Sequence, residues 1–474
     1  MIRTHLICVQ ITLQPGPVTT NRPSTAAAGP GSRRSSSTSR AASRAPSRDS
    51  HPATLPEGLP IGRSRSTDLV VQKFGGSSLA SPEKIARVAA RIAAERAQGR
   101  PLVVVASAMG GRTDALVQLA SALSDTPPPR ELDALLATGE SASTALLAMA
   151  LEELGVPAVS LRGWQAGIRT EGPHGHARIA SIDTARLHAE LEAGRVPVVC
   201  GFQGLDADGD VTTLGRGGSD TTAVAIAAAL GVPCEIYSDV PGVFSADPRH
   251  VQGARLVPCL RYDEMLAYAE RGAKVLNEDA VATARELGVP LHARATFADA
   301  EGTLVTTDVP RASIVGVAMR RETYRIAGSS DAVDAICRVH HGVQRREVAQ
   351  RAPLAETQFD RGPHDAPPAP SRGTTRHEAL VVLCEGATPD GLEGVVVDGP
   401  FATVSVVGAR APQLQSAIDA ALEGAGIACR ERWIDATSAT CVLSPRDAIA
   451  ALCALHQALV EGRAVAHAPE GARA

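Results

Sequence analysis

Lysine is nearly missing from this chain. Its 474 residues include three lysines, Lys73, Lys84 and Lys274, against 44 arginines. Arginine is the default cation here, so the position of each lysine carries information. Aromatic residues make up only 3%, which argues against base-stacking platforms for single-stranded nucleic acid. The net charge of −4 gives no basic footprint for a nucleic-acid backbone. The nine cysteines contain no C-x-x-C pair, so neither a zinc site nor a disulfide framework is indicated, and a reducing, cytoplasmic compartment is expected. No apolar run reads as long enough to cross a membrane. There is no G-x-x-x-x-G-K-[ST], which excludes a Walker-type phosphate loop. What remains, 44% hydrophobic and 21% charged residues, is the composition of a soluble globular protein, at a length that suggests two to four domains.

Residues 1–66 stand apart. Arg33 to Arg48 is a run of Ser, Arg and Ala with no acidic residue before Asp49, and proline is frequent nearby. Such a stretch buries too little apolar surface to fold. It reads either as a disordered extension or as an organelle transit peptide, which would move the location out of the cytoplasm.

From Asp68 the pattern is strand, glycine-containing loop, helix. Leu69 to Phe74 is a buried-type strand ending in Gly75-Gly76-Ser77-Ser78. Ser81 as N-cap and Pro82 as first helical residue then open a helix to about Gln98. Leu102 to Ser107 repeats the strand, followed by Gly110-Gly111-Arg112-Thr113-Asp114 and a second helix. This alternation predicts an α/β domain with a mainly parallel sheet, whose ligands sit beyond the carboxyl ends of the strands. Lys73 and Ser107 stand at such ends. A long helix is expected over about Arg130–Leu154. Glu140 within it is either an exposed helical glutamate or an inward carboxylate that binds an amine. Gly139 beside it costs helix stability and hints at close backbone approach. Val196 to Phe202 is a further strand, and Asp206 to Asp210 is a hairpin turn without the ligand spacing of a calcium loop.

The richest stretch is Thr212-Thr213-Leu214-Gly215-Arg216-Gly217-Gly218-Ser219-Asp220, leading into a helix-forming run at Ala223–Leu230. Glycines let backbone N–H groups face a ligand closely, and the helix start adds free donors and partial positive charge. The two together make an anion site, and Arg216 adds a bidentate grip for a carboxylate or phosphate. The alternative is a Gly-rich turn with a solvated Arg and an Asp cap. Further on, Cys234 to Val240 reads as strand and loop, and Tyr262–Arg271 as a helix. A second helical run is expected to open at Ala273-Lys274-Val275-Leu276. Asp239, Asp247 and Arg249 are either nucleotide contacts or ordinary turn residues.

These segments, Lys73-Phe74-Gly75-Gly76-Ser77-Ser78, Ser107-Ala108-Met109 with Thr113-Asp114, Gly139-Glu140-Ser141, Thr213 to Asp220, Ser238 to Val243, Ala246-Asp247-Pro248-Arg249 and Gly272 to Leu276, together resemble the aspartate kinase family, in the family's order, over about residues 68–310. The resemblance implies an amino-acid kinase fold of three layers around a mainly parallel sheet, and transfer of the ATP γ-phosphate to the β-carboxylate of L-aspartate, the first step towards lysine, threonine and methionine. It implies catalytic roles for Lys73 and Asp220. It implies aspartate contacts from Ser107, Thr113, Glu140, Phe202, Arg216 and Ser219. The nucleotide side falls to Lys73, Gly75, Gly76, Ser77, Ser238, Asp239, Phe244, Asp247, Arg249, Lys274 and Val275. Mg2+ would come with ATP, and no protein metal ligand is named. One departure stands out: Asn277-Glu278-Asp279 replaces the His or Gln, then Pro or Arg, usual after the Lys-Val-Leu segment.

Residues beyond 310 carry no catalytic constellation. They read as βαββαβ written twice, with strands at Ser313–Ala318 and Thr323–Ala327, a helix at Asp331–His340, and strands at Val343–Ala349, Ala379–Cys384 and Val395–Asp398. A second unit opens with the strand Ala402–Gly408. The two resemble tandem α+β ACT-like regulatory domains, the second copy more closely. The expected divisions are 67–310 for the catalytic domain, 311–400 for the first ACT-like domain with a Pro-rich loop at 351–377, 401–462 for the second, and 463–474 for a tail. An amino-acid effector at these domains and a homodimer or larger homo-oligomer follow from the resemblance, with neither a nucleic acid nor a membrane as partner. The rival readings are an amino-acid kinase for another acidic substrate and a regulatory chain with little catalysis.

Overall fold

The computed structural model describes residues 69–215, 217–273, 275–328, 346–347, 377–381 and 395–462. Twelve strands and seven α-helices make up the part that carries the candidate site: β1 Val70–Phe74, α1 Pro82–Ala97, β2 Leu102–Ala106, α2 Arg112–Ser121, α3 Pro129–Glu153, β3 Ala158–Leu161, β4 Ile168–Glu171, β5 Arg178–Ile182, α4 Ala185–Glu192, β6 Val196–Cys200, β7 Gln203–Leu205, β8 Val211–Thr213, α5 Gly218–Leu230, β9 Cys234–Ser238, β10 Cys259–Leu260, α6 Tyr262–Ala269, α7 Glu278–Leu287, β11 Leu291–Ala295 and β12 Thr303–Val305. An eight-stranded sheet has the order β10-β12-β11-β9-β1-β2-β6-β3. It is parallel from β11 to β3, and the β11–β12 pair is antiparallel. A smaller sheet, β5-β4-β7-β8, stands beside it.

The buried valines of β1, β2 and β6 explain the layering, because strands covered on both faces read as continuous apolar runs. Alternate side chains go to opposite faces. Val70, Phe74, Val104 and Val198 pack with Ile85, Val88 and Ile92 of α1 and Leu147 and Leu151 of α3. Val71, Val103, Val105 and Val199 pack with Val224 and Ile226 of α5 and with residues of α6 and α7. Ser81 caps α1 as expected, its hydroxyl accepting from the Lys84 amide at 3.4 Å, with Pro82 next.

Helix α3 corrects one expectation. It is long and apolar enough to cross a membrane by length and composition alone. It buries Asp133 and Glu140 and packs against α1, β3, β6 and β8, which is the position of a core helix. A second correction concerns residues 273–276. Ala273, Val275 and Leu276 are not helical, and Asn277 is the N-cap of α7, its side-chain oxygen accepting from the Ala280 amide at 3.0 Å. A short polar side chain at that position favours capping over propagation. Helix α5 starts at Gly218, five residues ahead of the apolar run.

The C-terminal elements are β13 Gly316–Gly328, β14 Arg346–Glu347, β15 His377–Val381, β16 Val395–Val407, α8 Gln415–Gly424, β17 Glu431–Ile434, β18 Ser438–Leu443 and α9 Ala448–His456. They form one antiparallel sheet of order β14-β15-β13-β16-β18-β17, backed by α8 and α9 through Val404, Val406, Ile418, Cys441 and Leu455. The sequence reading splits β13 into two strands and divides β16 near residue 400. Instead β13 and β16 pair along their whole length, with register shifts between Arg320 and Arg325. Bulges of this kind interrupt the apolar alternation without ending the strand. The expected helix at 331–340 lies outside the described residues, as do 1–66 and all of the expected loop at 351–377 except His377, which opens β15.

Candidate active site

The position of Lys73 follows from strand alternation. It shares the face of β1 that carries Val71, and this is the face covered by α5. Asp220 is in the first turn of α5. Lys73 Nζ therefore meets Asp220 Oδ1 at 2.6 Å, with both side chains largely buried. Around the pair is a cleft of about 210 Å³. It is lined by Lys73, Ser107, Thr113, Glu140, Phe202, Ser219 and Asp220, with the backbone of Gly215, Gly217 and Gly218. Every one of those seven side chains was singled out from the sequence. They come from β1, α2, α3, α5 and the loops after β2 and β6, and meet beyond the carboxyl ends of β1, β2 and β6, where an open parallel sheet offers space. The volume suits a small amino acid.

Glu140 is the inward carboxylate, 3% exposed. Gly139 lets α3 come this close, because a Cβ there would stand 3.0 Å from Ala108 Cβ. Glu140 Oε1 accepts from the Ala108 amide at 3.0 Å. Its Oε2 is buried without a hydrogen-bond partner among the described residues. Burial pushes the carboxyl up to about 7, against the Ala108 hydrogen bond. An unpaired carboxylate oxygen in an apolar wall costs free energy unless a cation meets it.

One threonine, Thr222, and one strained residue, Phe202, hold the other wall. Phe202 has φ 70, left-handed for a non-glycine residue, a conformation that costs on the order of 1–2 kcal/mol. Its amide donates to Thr222 Oγ1 at 3.0 Å, Thr222 Oγ1 donates to the Gly218 carbonyl at 2.7 Å, and the Leu214 amide donates to the Phe202 carbonyl at 3.0 Å. Gly217, at φ 77, precedes α5 and lies against the Asn277 amide, which leaves no room for a Cβ. Asn277 thus serves as helix cap and as support for the Gly-rich loop. Of the two acids that follow, Glu278 faces Arg320 at 3.7 Å and is 45% exposed.

Other singled-out residues lie outside the cleft. The Gly75 amide donates to the Tyr237 carbonyl at 3.2 Å, and the Gly76 carbonyl accepts from the Gly110 amide at 3.0 Å. The Ser77 carbonyl accepts from Lys84 Nζ at 2.8 Å, which gives the third lysine a local, structural place. Ser238 Oγ closes a turn onto Val240, and Asp239 is exposed beside it. Asp247 binds Arg249 through both oxygens, and this pair holds its carboxyl below the usual range. The Phe244 carbonyl accepts from Tyr268 Oη at 2.9 Å. Val275 is half-buried. Arg216 and Lys274 lie outside the described residues. His174, Asp206 and Asp210 offer three metal-type ligand atoms within 4.8 Å of one another. Arg130 already holds Asp210 at 2.6 Å, and Asp206 accepts two backbone amides of its own hairpin.

Asp133 was missed in the sequence. It is 1% exposed and accepts from the Thr213 amide and hydroxyl and from the Gly175 amide. The available signal was its spacing: seven residues before Glu140 is two helical turns, so both carboxylates share one face of an apolar helix.

The amino acid kinase family profile matches residues 68–294. Aspartokinase 2 of Bacillus subtilis is 56% identical over 238 residues, which cover 50% of this chain and 58% of that protein. The aspartokinase of Mycolicibacterium smegmatis is 48% identical over 289 residues, 59% of this chain and 69% of that protein. The chain thus spans little more than half of the Bacillus relative's length. Among solved structures, E. coli aspartokinase III in complex with aspartate and ADP superposes with a TM-score of 0.65 at 22% identity, over 82% of this chain and 99% of that one, a likeness of fold.

Proposed function

This chain belongs to the aspartokinase family, and from that premise we propose that it phosphorylates the β-carboxylate of L-aspartate with ATP. The observation that carries the reading is the unpaired Oε2 of Glu140 in a small cleft that also holds the Lys73–Asp220 pair. An amino acid needs a buried anion for its ammonium group, and phosphoryl transfer to a carboxylate needs a cation where negative charge accumulates.

In this reading Glu140 takes the ammonium group, Arg216 grips the α-carboxylate, and Ser107, Thr113 and Ser219 complete the polar contacts against Phe202. The β-carboxylate is already ionised near neutral pH, so no general base is required. Its oxygen attacks the γ-phosphorus, and the bond to the bridging oxygen of ADP breaks. Lys73, oriented by Asp220, stabilises the charge on the transferred group. Lys274 and the amides of Gly76, Ser77 and Gly217 hold phosphate oxygens, those of Gly75 and Gly218 being taken by the Tyr237 and Gly215 carbonyls. Ser238, Asp239, Phe244, Asp247, Arg249 and Val275 form the nucleotide side. The carboxylate of the cleft on the Lys73 side is committed to that lysine, which suits a magnesium ion carried by the phosphates of ATP rather than by a protein cage. The C-terminal sheet, as an ACT-like region, would take an amino-acid effector, and a cytoplasmic homo-oligomer completes the reading.

A hydroxamate assay with ATP and magnesium over aspartate, glutamate and related acids tests it. Aspartyl hydroxamate is the expected product. A chain that turns over another acid, or none, overturns the proposal.

A further inference from the structure

Asp133 belongs to no part of the chemistry above, yet it is a buried carboxylate that gathers donors from two segments far apart in sequence. Its Oδ1 accepts the Thr213 hydroxyl at 2.6 Å, and its Oδ2 accepts the Thr213 amide at 3.0 Å and the Gly175 amide at 2.9 Å. His174 Nδ1 lies 3.0 Å from Oδ2. Thr213 ends β8 and is the last strand residue before Leu214 and the Gly-rich loop. The turn at 172–177 meets the same loop: the Ala177 amide donates to the Thr213 carbonyl at 3.0 Å, and a Cβ on Gly215 would lie 3.1 Å from His176 Nδ1. A carboxylate with four donors is charge-assisted and geometrically determined. Asp133 and Glu140 sit two turns apart on one rigid helix, so α3 fixes the ammonium-binding oxygen and the start of the opposite wall in a single frame.

We infer that Asp133 is a positioning residue that sets the Gly215–Asp220 loop against Glu140, and so sets the width of the acceptor cleft. It acts through Thr213 and the 172–177 turn. The kinetic consequence rests on the proposed aspartokinase reading; the structural consequence does not.

Hydrogen–deuterium exchange and steady-state kinetics on the full chain test this with Asp133→Asn, Thr213→Val and Thr213→Ser. Asn presents an N–H where a donor already points, and Val removes only the hydroxyl that Asp133 holds, so the second variant decides the matter where the first does not fold. In both, exchange is expected to accelerate in peptides covering 211–220 and 172–177 and to stay unchanged in α1 and β2. The aspartate KM is expected to rise about tenfold, as for loss of a hydrogen bond to a charged group, with the ATP KM and kcat much less affected. Thr213→Ser keeps the hydroxyl and is expected to restore normal behaviour. Acceleration spread evenly over the protein, or unchanged exchange at 211–220 in Thr213→Val, overturns the inference. Equal changes in both KM values do the same. If the wild-type chain does not phosphorylate aspartate, the functional reading fails, and the exchange data still judge Asp133.

Discussion

Glu140 and His456 are both polar side chains sealed in apolar surroundings, at 3% and 0% exposure, and the protein treats them in opposite ways. Glu140 has one oxygen bound to a backbone amide and the other left unpaired. His456 has both ring nitrogens occupied: Nε2 meets Ser245 Oγ at 2.9 Å and Nδ1 meets Glu461 Oε1 at 3.0 Å. Ser245 Oγ in turn accepts the Arg255 amide at 3.0 Å. Arg271, also at this junction between α6 and the C-terminal sheet, is bound to Asp435 and Ser438. A closed network holds two parts of a protein together and asks for nothing more. An open one is unfavourable until a ligand arrives. Other buried side-chain atoms, such as Gln72 Oε1 and Thr323 Oγ1, are also without a hydrogen-bond partner among the described residues, so it is the place of Glu140 in the cleft, together with its open oxygen, that marks it as a receptor.

The comparison is broken most severely at Lys73. Lys73→Ala removes the cation paired with Asp220 and leaves that largely buried carboxylate without it. Turnover is expected to fall by about 10²–10³ or more, the range for loss of a transition-state contact. Near-normal kcat in a folded variant would remove Lys73 from the mechanism.

Glu140→Gln and Ser245→Ala sharpen the contrast because they move stability in opposite directions. The Glu140 carboxyl is raised to about 7 in the folded chain by burial, so the folded state holds its proton more tightly than the unfolded one. Its favourable contribution is present at low pH and is lost as pH rises from the ordinary glutamate range through about 7. Glu140→Gln is therefore expected to raise the melting temperature of the ligand-free chain at pH 8, by the equivalent of about 1–3 kcal/mol, with little gain at pH 5. The same change is expected to weaken aspartate by roughly 1.5–3 kcal/mol, the value of a hydrogen bond to a charged group. Differential scanning calorimetry at the two pH values, with and without aspartate, reads both effects. A lower melting temperature at pH 8 would place Glu140 among the structural contacts.

Ser245→Ala leaves His456 Nε2 and the Arg255 amide without their partner, and is expected to cost about 1–3 kcal/mol of stability while the aspartate KM stays within about twofold. A large change in aspartate KM would make this joint part of the site.

Much of the cleft was legible because its residues sit where strands end. Lys73 and Ser107 follow apolar runs whose strand character is plain from composition, and the parallel sheet brings such ends together; the Gly-rich stretch was legible from its glycines and the helix that follows it. Glu140 was an open choice, since an acid in a helix is usually solvated, and its neighbour Gly139 was the clue that held. Asp133 went unread because an acid near the start of a helix already has an explanation in the helix dipole. Its partners on β8 and in the 172–177 turn are about 80 and 40 residues away in sequence. A helix was expected to open at Ala273, whereas the cap at Asn277 fixes the start of α7 at Glu278, with the Asn277 side chain against Gly217, a residue 60 positions earlier that the sequence does not bring beside it. The long strands β13 and β16 read as pairs of short ones because register shifts break their alternation, and only pairing across the sheet shows them to be continuous.

The pH dependence of aspartate binding tests the central claim most directly, that the unpaired oxygen of Glu140 is the receptor for an ammonium group. With the carboxyl raised to about 7 in the free chain, aspartate must meet an ionised Glu140. Its KM is expected to be level above pH 7 and to climb about tenfold for each unit below it, while Glu140→Gln gives a weak and level profile over the same range. A wild-type profile that stays flat from pH 5.5 to 8.5, or a Glu140→Gln profile that still climbs, would contradict the account.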